Sequence, residues 1–303
     1  MVQQSFGKGI FFAVSAYFMW GLLPIYWRLL AAIPPAHILS FRIILSLVFV
    51  AGILFFMKNT SWLKFYKDRH KLILLTLAGL TVTFNWGLFI WAVNNGRTIE
   101  TSLGYYINPL VSVILGLCFF KEKLKPLQII AFSLAAIGVT TLTVFTGRLP
   151  WVSLGLAISF GFYGMIKKTV KLSSLESLGV ETLVAAPIGL LLLFASFDLS
   201  SGIDFPNLQN LVYLLELPFL TIFILLFCGA VSSIPLYLFS QGAKILPLSA
   251  LGFCQFLAPT MSFFTGFFIF GEFFPTRNFI AFGFIWAAVV VYIISLNYPR
   301  KKC

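Results

Sequence analysis

The sequence predicts an all-α membrane protein with ten transmembrane helices, arranged as two five-helix halves of inverted orientation. Three observations predict it. The composition is 60% apolar and only 10% charged, against about 25% charged in a soluble domain, so the chain lacks the polar surface that water requires. The apolar residues fall in long runs, and the segments between them alternate between basic and nearly free of Lys and Arg. Finally, residues in the two halves match at a fixed spacing. A spanning helix takes about 20 apolar residues, so 303 residues hold ten spans, short loops and no separate soluble domain.

The first run, 9–31, is 23 residues long and broken only by Arg28. A signal-peptide core is about 7–15 residues, so a retained helix is expected. Spans at 37–57, 72–93, 101–120 and 127–146 complete the first half. The second half reads as 150–166, 177–197, 217–240, 246–270 and 278–297. With the N-terminus inside, the inner segments carry 16 Lys and Arg. They include five from Lys58 to Lys71, the trio Lys121, Lys123 and Lys125, the trio Lys167, Lys168 and Lys171, and Arg300 to Lys302. The outer segments carry four, at Arg28, Arg97, Arg148 and Arg277. Basic residues accumulate on the cytoplasmic side, so both termini are expected in the cytoplasm.

The repeat gives the inversion. At an offset of 150, Asn108-Pro109 corresponds to Ala258-Pro259, Gly116 to Gly266, Glu122 to Glu272, and Ile130-Ala131-Phe132 to Ile280-Ala281-Phe282. Trp20-Gly21 resembles Tyr163-Gly164 at an offset of 143. The halves are 1–148 and 149–303. Each holds an odd number of spans, so the second enters from the opposite side. Secondary transporters are often built this way, with the substrate site at the repeat interface near mid-bilayer.

Other classes fit poorly. The net charge of +12 lies in short loop clusters, which sets topology rather than binding nucleic acid. Cys118, Cys228, Cys254 and Cys303 have no metal spacing, and His37 and His70 have no partner pattern. No phosphate-binding loop occurs, and no paired acids or Ser/His arrangement suggests an enzyme. No metal and no cofactor are expected; the partners are membrane lipids and a small-molecule substrate. A passive channel is the alternative to a carrier, and it calls for a continuous polar stripe where the sequence has scattered polar residues.

Glu100 to Val111, with Tyr105, Tyr106, Asn108 and Pro109, followed by Lys121-Glu122-Lys123-Leu124, resembles the first EamA repeat of the drug/metabolite transporter superfamily. More narrowly the chain resembles the RarD group of permeases, named for chloramphenicol sensitivity. Ala16 to Gly21, Glu181-Thr182, Gly252 to Pro259 and Gly271-Glu272 extend the resemblance over essentially the whole chain. It implies ten helices, two EamA-like repeats and a bacterial inner-membrane location.

Polar residues in mid-span are costly and often functional. Asn85 beside Trp86, Asn108 with Tyr105, and Gln255 are candidates to line a cavity; interhelical hydrogen bonding is their structural alternative. Tyr17, Trp20 and Tyr163 are the aromatic candidates. Pro109 and Pro259 either hinge the cavity or only kink their helices. Glu122 and Glu272 are read as N-terminal charges for spans 5 and 10, with proton coupling as the other reading. Arg42 and Glu181 are the clearest charges inside spans. Arg42 sits roughly 7.5 Å from the outer end of span 2 and Glu181 roughly 6 Å from the inner end of span 7. They are therefore expected to act separately, Arg42 on anionic groups and Glu181 as a protonatable coupling residue, or else to bond only their own neighbours.

Overall fold

The computed structural model describes residues 2–94, 97–146, 151–194, 196–198, 202–204, 217–271, 276 and 278–297. Arg148, Glu272, Arg277 and the basic run Arg300 to Lys302 lie outside the described residues, as does the boundary between the expected halves. Among the described residues the only strands form a short ribbon in which β1 (Ser196–Asp198) pairs antiparallel with β2 (Gly202–Asp204), and the other elements are helical.

Proline and acid side chains start the helices. α1 (Val2–Leu29) is followed by α2 (Pro35–Phe56), where proline occupies the first turn at no hydrogen-bond cost. After a 3-10 segment, Ser61–Lys67, α3 (Arg69–Asn94) begins on Asp68. The Asp68 carboxylate accepts the His70 and Lys71 N–H groups and pairs with the Lys71 ammonium at 3.2 Å. These donors hold its pKa below the ordinary carboxylate value. α4 (Thr98–Phe120) ends on Lys121 in the left-handed region, φ 51°, and the Glu122 N–H closes back on the Gly116 carbonyl. α5 (Pro126–Thr146), α6 (Trp151–Thr169) and α7 (Ser174–Phe194) follow.

The next two membrane-length segments are broken. α8 (Phe219–Leu226) and α9 (Cys228–Ile245) meet at Phe227. α10 (Leu248–Gln255) and α11 (Leu257–Phe264) meet at Phe256, and a π-helical turn, Thr265–Ile269, continues the second pair. Pro259 has no N–H to offer the Gln255 carbonyl, which accounts for the break one residue later. α12 (Asn278–Asn297) ends the described fold.

Among the described residues, nine helices or broken helices are long and apolar enough to cross a membrane. The chain is a multi-pass membrane protein. The expected ten included a sixth span at 150–166. α6 is present there, 19 residues long, but with Lys167 and Lys168 in its last turn it falls outside the nine. One face of α6 is interior, with Leu156, Tyr163 and Lys167 all buried, while Leu154, Ile158 and Phe162 are exposed on the other. A helix shielded by protein need not be as apolar as one facing lipid.

The packing has a regular pattern. α1 packs on α9, and α6 packs on α3. α1 also packs on α10 and α11, and α6 on α4. α2 meets α9 as α7 meets α3, while α2 with α7, α4 with α10 and α5 with α12 form three further pairs. Glycines set several of these contacts. A Cβ at Gly229 would lie 2.3 Å from the Leu45 backbone, and one at Gly21 2.4 Å from the Met261 Cβ. Backbones therefore approach closely where α9 meets α2 and where α1 meets α11.

Candidate functional site

One cavity of about 170 Å³ lies between α1, α2, α3, α4, α6, α10 and α11. On every long helix its lining residues occupy the half nearer the α1–α2 turn. α1 supplies Tyr17, Trp20, Pro24 and Trp27, at helical spacings of three and four that put them on one face. α2 supplies Arg42; α3 supplies Asn85, Trp86 and Phe89; α4 supplies Gly104, Tyr105 and Asn108. α6 contributes Leu156 and Phe160, and the broken segment contributes Gln255, Ala258, Pro259 and Ser262. Tyr105 is 43% exposed, so its ring is open to the cavity.

Arg42 is the charged residue among those lining the cavity. Its guanidinium carbon lies over the Trp27 ring at 4.7 Å and over the Trp86 ring at 4.2 Å. Its Nε donates to the Ser232 hydroxyl at 3.2 Å. Among the described residues no carboxylate pairs with it. Asn85 donates to the Leu156 carbonyl and to the Ser159 hydroxyl, each at 2.8 Å. Its amide thus ties α3 to α6 as well as lining the cavity. Gln255 accepts from Ser112 at 3.2 Å, while the Asn108 carbonyl oxygen has no partner among the described residues.

The floor of the cavity is aromatic. Trp20 sits 5.4 Å from Tyr17, 5.6 Å from Phe160 and 5.7 Å from Phe239, ring centre to ring centre. Beneath it Tyr163 stacks on Phe239 at 5.7 Å, and both are fully buried.

Tyr163 and Glu181 do not line the main cavity, contrary to the expectation from sequence. Tyr163 forms the layer below the floor, and its hydroxyl donates to Glu181 Oε2 at 2.9 Å. Glu181 Oε1 receives the Lys167 ammonium at 2.6 Å and the Ser177 hydroxyl at 2.6 Å. Lys167 and Glu181 are 0% and 2% exposed. Lys167 had been expected to be a loop charge; α6 runs on to Thr169 and carries it into the interior. Glu181 also borders a crevice of about 10 Å³ that Trp86 shares with the main cavity. That is room for about one water molecule.

The prolines differ as well. Pro259 lines the cavity beside the Phe256 break, whereas Pro109 is buried in an unbroken α4 with Gly252 packed against its carbonyl. Glu122 does not serve the start of span 5. Its carboxylate accepts the Leu248 and Ser249 N–H groups at 2.6 and 2.9 Å and the Ser249 hydroxyl at 2.7 Å, capping α10. Lys168, 4.0 Å from Glu122, donates to the Leu246 carbonyl, and Lys244 donates to the Leu172 carbonyl. These ties gather at the end of the bundle away from the α1–α2 turn.

Sequence reasoning missed Trp27, Ser232, Phe160 and Lys167. The spacing of Tyr17, Trp20, Pro24 and Trp27 was a signal for Trp27. Ser232 had none, because its contact with Arg42 joins residues 190 apart.

Residues 7–144 match the model of the EamA-like transporter family. The chain is 40% identical over 293 residues to the "Uncharacterized transporter YojE" of Bacillus subtilis, covering 95% of this chain and 94% of that one. It is 34% identical over 296 residues to "Protein RarD" of Escherichia coli, covering 97% of each. A solved crystal structure 16% identical in sequence matches with a TM-score of 0.70 over 96% of this chain and 99% of the other, a likeness of fold.

Proposed function

The chain belongs to the EamA-like transporter family, among its RarD-type permeases, and from that premise we propose that it moves a small molecule across the bacterial inner membrane by alternating access. One observation carries the mechanism: the cavity is bounded by helices from both halves of the chain, and packed side chains fill the bundle on one side of it. Above the floor lie Arg42, Tyr105 and Asn108. Below it lie the stacked rings, the Lys167–Glu181 pair and the Glu122 cap. Family membership supports a transporter.

The reading has two five-helix repeats, 1–148 and 149–303, with α6 as the sixth of ten spans. The packing supports it. Exchanging α1 to α5 with α6 to α12 in order, each broken segment counted as one, turns every pair described above either into another of those pairs or, for α2 with α7, α4 with α10 and α5 with α12, into itself. Two halves related in this way can trade conformations, so the cavity can open to either side in turn. The basic connections favour a cytoplasmic position for both termini and for the closed end; in this reading the cavity faces outward. Proton coupling is assigned to Glu181, which meets the one-water crevice beside Trp86. Its protonation would release Lys167 and loosen α6 from α7.

The test is counterflow. Solutes that raise the Tm of the purified protein are loaded into proteoliposomes, and labelled solute is added outside. A carrier accumulates label transiently because trans solute speeds its return. A facilitator with an open path shows no overshoot, and that result would replace the carrier reading.

A further inference from the structure

We infer that the substrate is a small organic monoanion, a carboxylate carried on a ring-sized apolar body, held by Arg42. This deepens the transporter reading and rests on it. Arg42 is placed inside a membrane protein at a cost, and nothing on the protein side cancels its charge: among the described residues it has the Ser232 hydroxyl and two indole rings. The rings shield the guanidinium without neutralising it. Arginine has five N–H donors, and only the one on Nε has a described acceptor. The Nη donors are those that a carboxylate engages in a two-pronged bond.

Charge and size narrow the class. Among the described residues Arg42 is the one charged side chain lining the cavity. A monoanion balances it, a dianion leaves a net negative charge in an aromatic enclosure, and a cation is repelled. The cavity of about 170 Å³ compares with the ~150 Å³ cavity that accepts a benzene ring. It holds one ring and a small head group. Trp20, Phe89 and Phe160 supply apolar wall, and Asn108 and Gln255 supply polar groups for a substituent on that ring.

The experiment uses the purified full chain and three probes, 4-hydroxybenzoate, its neutral isostere 4-hydroxybenzamide, and 4-hydroxyphenyl phosphate. Binding is read by indole fluorescence and by calorimetry. The carboxylate is expected to bind saturably in the millimolar range or tighter. The amide should bind about tenfold more weakly or worse, the loss appropriate to a charge-assisted hydrogen bond, and the phosphate more weakly than the carboxylate. Arg42→Gln should cut carboxylate affinity about tenfold or more and amide affinity by clearly less, because the amide loses a neutral hydrogen bond and no charge pairing. Arg42→Lys, which keeps the charge but not the planar fork, should restore only part. Equal affinity for carboxylate and amide, no saturable binding of the carboxylate, or tighter binding of the phosphate would each overturn the inference. So would an Arg42→Gln protein that binds the carboxylate normally. If that variant fails to fold, the wild-type probe series decides. Binding is read without transport. A correct affinity order with no counterflow would sink the transporter mechanism alone, and counterflow of a neutral solute with no carboxylate binding would sink the substrate class alone.

Discussion

Removing Lys167 and Glu181 together should cost clearly less than the sum of removing each alone. Lys167 and Glu181 sit 2.6 Å apart and are 0% and 2% exposed. Breaking a buried pair by deleting one charge typically costs about 3–5 kcal/mol, because the survivor is left uncompensated, whereas replacing both is often near neutral. The surroundings here adjust that range. In Lys167→Met the Glu181 carboxylate keeps the Ser177 and Tyr163 hydroxyls, so the lower end, about 3 kcal/mol, applies. In Glu181→Gln the lysine keeps only the Ser177 hydroxyl and an amide oxygen, and the upper end, about 5 kcal/mol, applies. The double variant Lys167→Met/Glu181→Gln restores a neutral site whose amide still accepts from Tyr163. It should lie at least ~2 kcal/mol above the additive sum. The assay is thermal unfolding in detergent, followed by far-UV circular dichroism. At about 2 °C per kcal/mol for a large chain, the single variants should lose roughly 6–10 °C and the double variant clearly less than their sum. Strictly additive losses would refute the argument that the two charges depend on each other.

Further outcomes follow from other contacts. Gly229→Ala should destabilise by about 2 kcal/mol or more, since its Cβ would lie 2.3 Å from the Leu45 backbone, while Gly52→Ala, with nothing within 4 Å, should be neutral or stabilising; chemical denaturation compares them. Glu122→Gln loses the charged cap on α10 and should cost about 1–2 kcal/mol. It should also raise the rate at which a cysteine at Ser262 is modified from the cytoplasmic side of inside-out vesicles, in a background lacking the native cysteines. Cysteines placed in the loop Asn59 to His70 should resist impermeant reagents added to intact cells, and one at Ser201 should react; the reverse pattern would invert the topology.

Much of the fold was legible because the bilayer imposes it. Apolar length located the spans, and turn prolines such as Pro35, Pro126 and Pro247 stand at helix starts. The cavity was partly legible for a related reason. Tyr17, Trp20, Arg42, Asn85, Tyr105, Asn108 and Gln255 stand out because polar and amphipathic groups are rare in mid-span, and the structure gathers these seven at one cavity. What could not be read was partnership between distant residues. Lys167 sits beside Lys168, and a basic doublet after an apolar run looks like loop charge; only the register of α6 turns one inward and leaves the other at the rim. Glu122 looked like a charge for the helix after it. Its αL turn at Lys121 instead sends it across to α10, 126 residues away. Nor did the matched prolines imply matched roles, since Pro259 accompanies a broken helix and Pro109 a continuous one.

Alternating access is tested most directly by distance measurements between paired spin labels in proteoliposomes. One pair, Ala32→Cys with Trp151→Cys, spans the cavity end of the bundle; the other, Lys123→Cys with Lys171→Cys, spans the closed end. The account predicts two populations for each pair, exchanging in opposite senses as pH is lowered. When the first pair shortens, the second lengthens. A single unchanging distance at both ends, or both ends opening together, would contradict it.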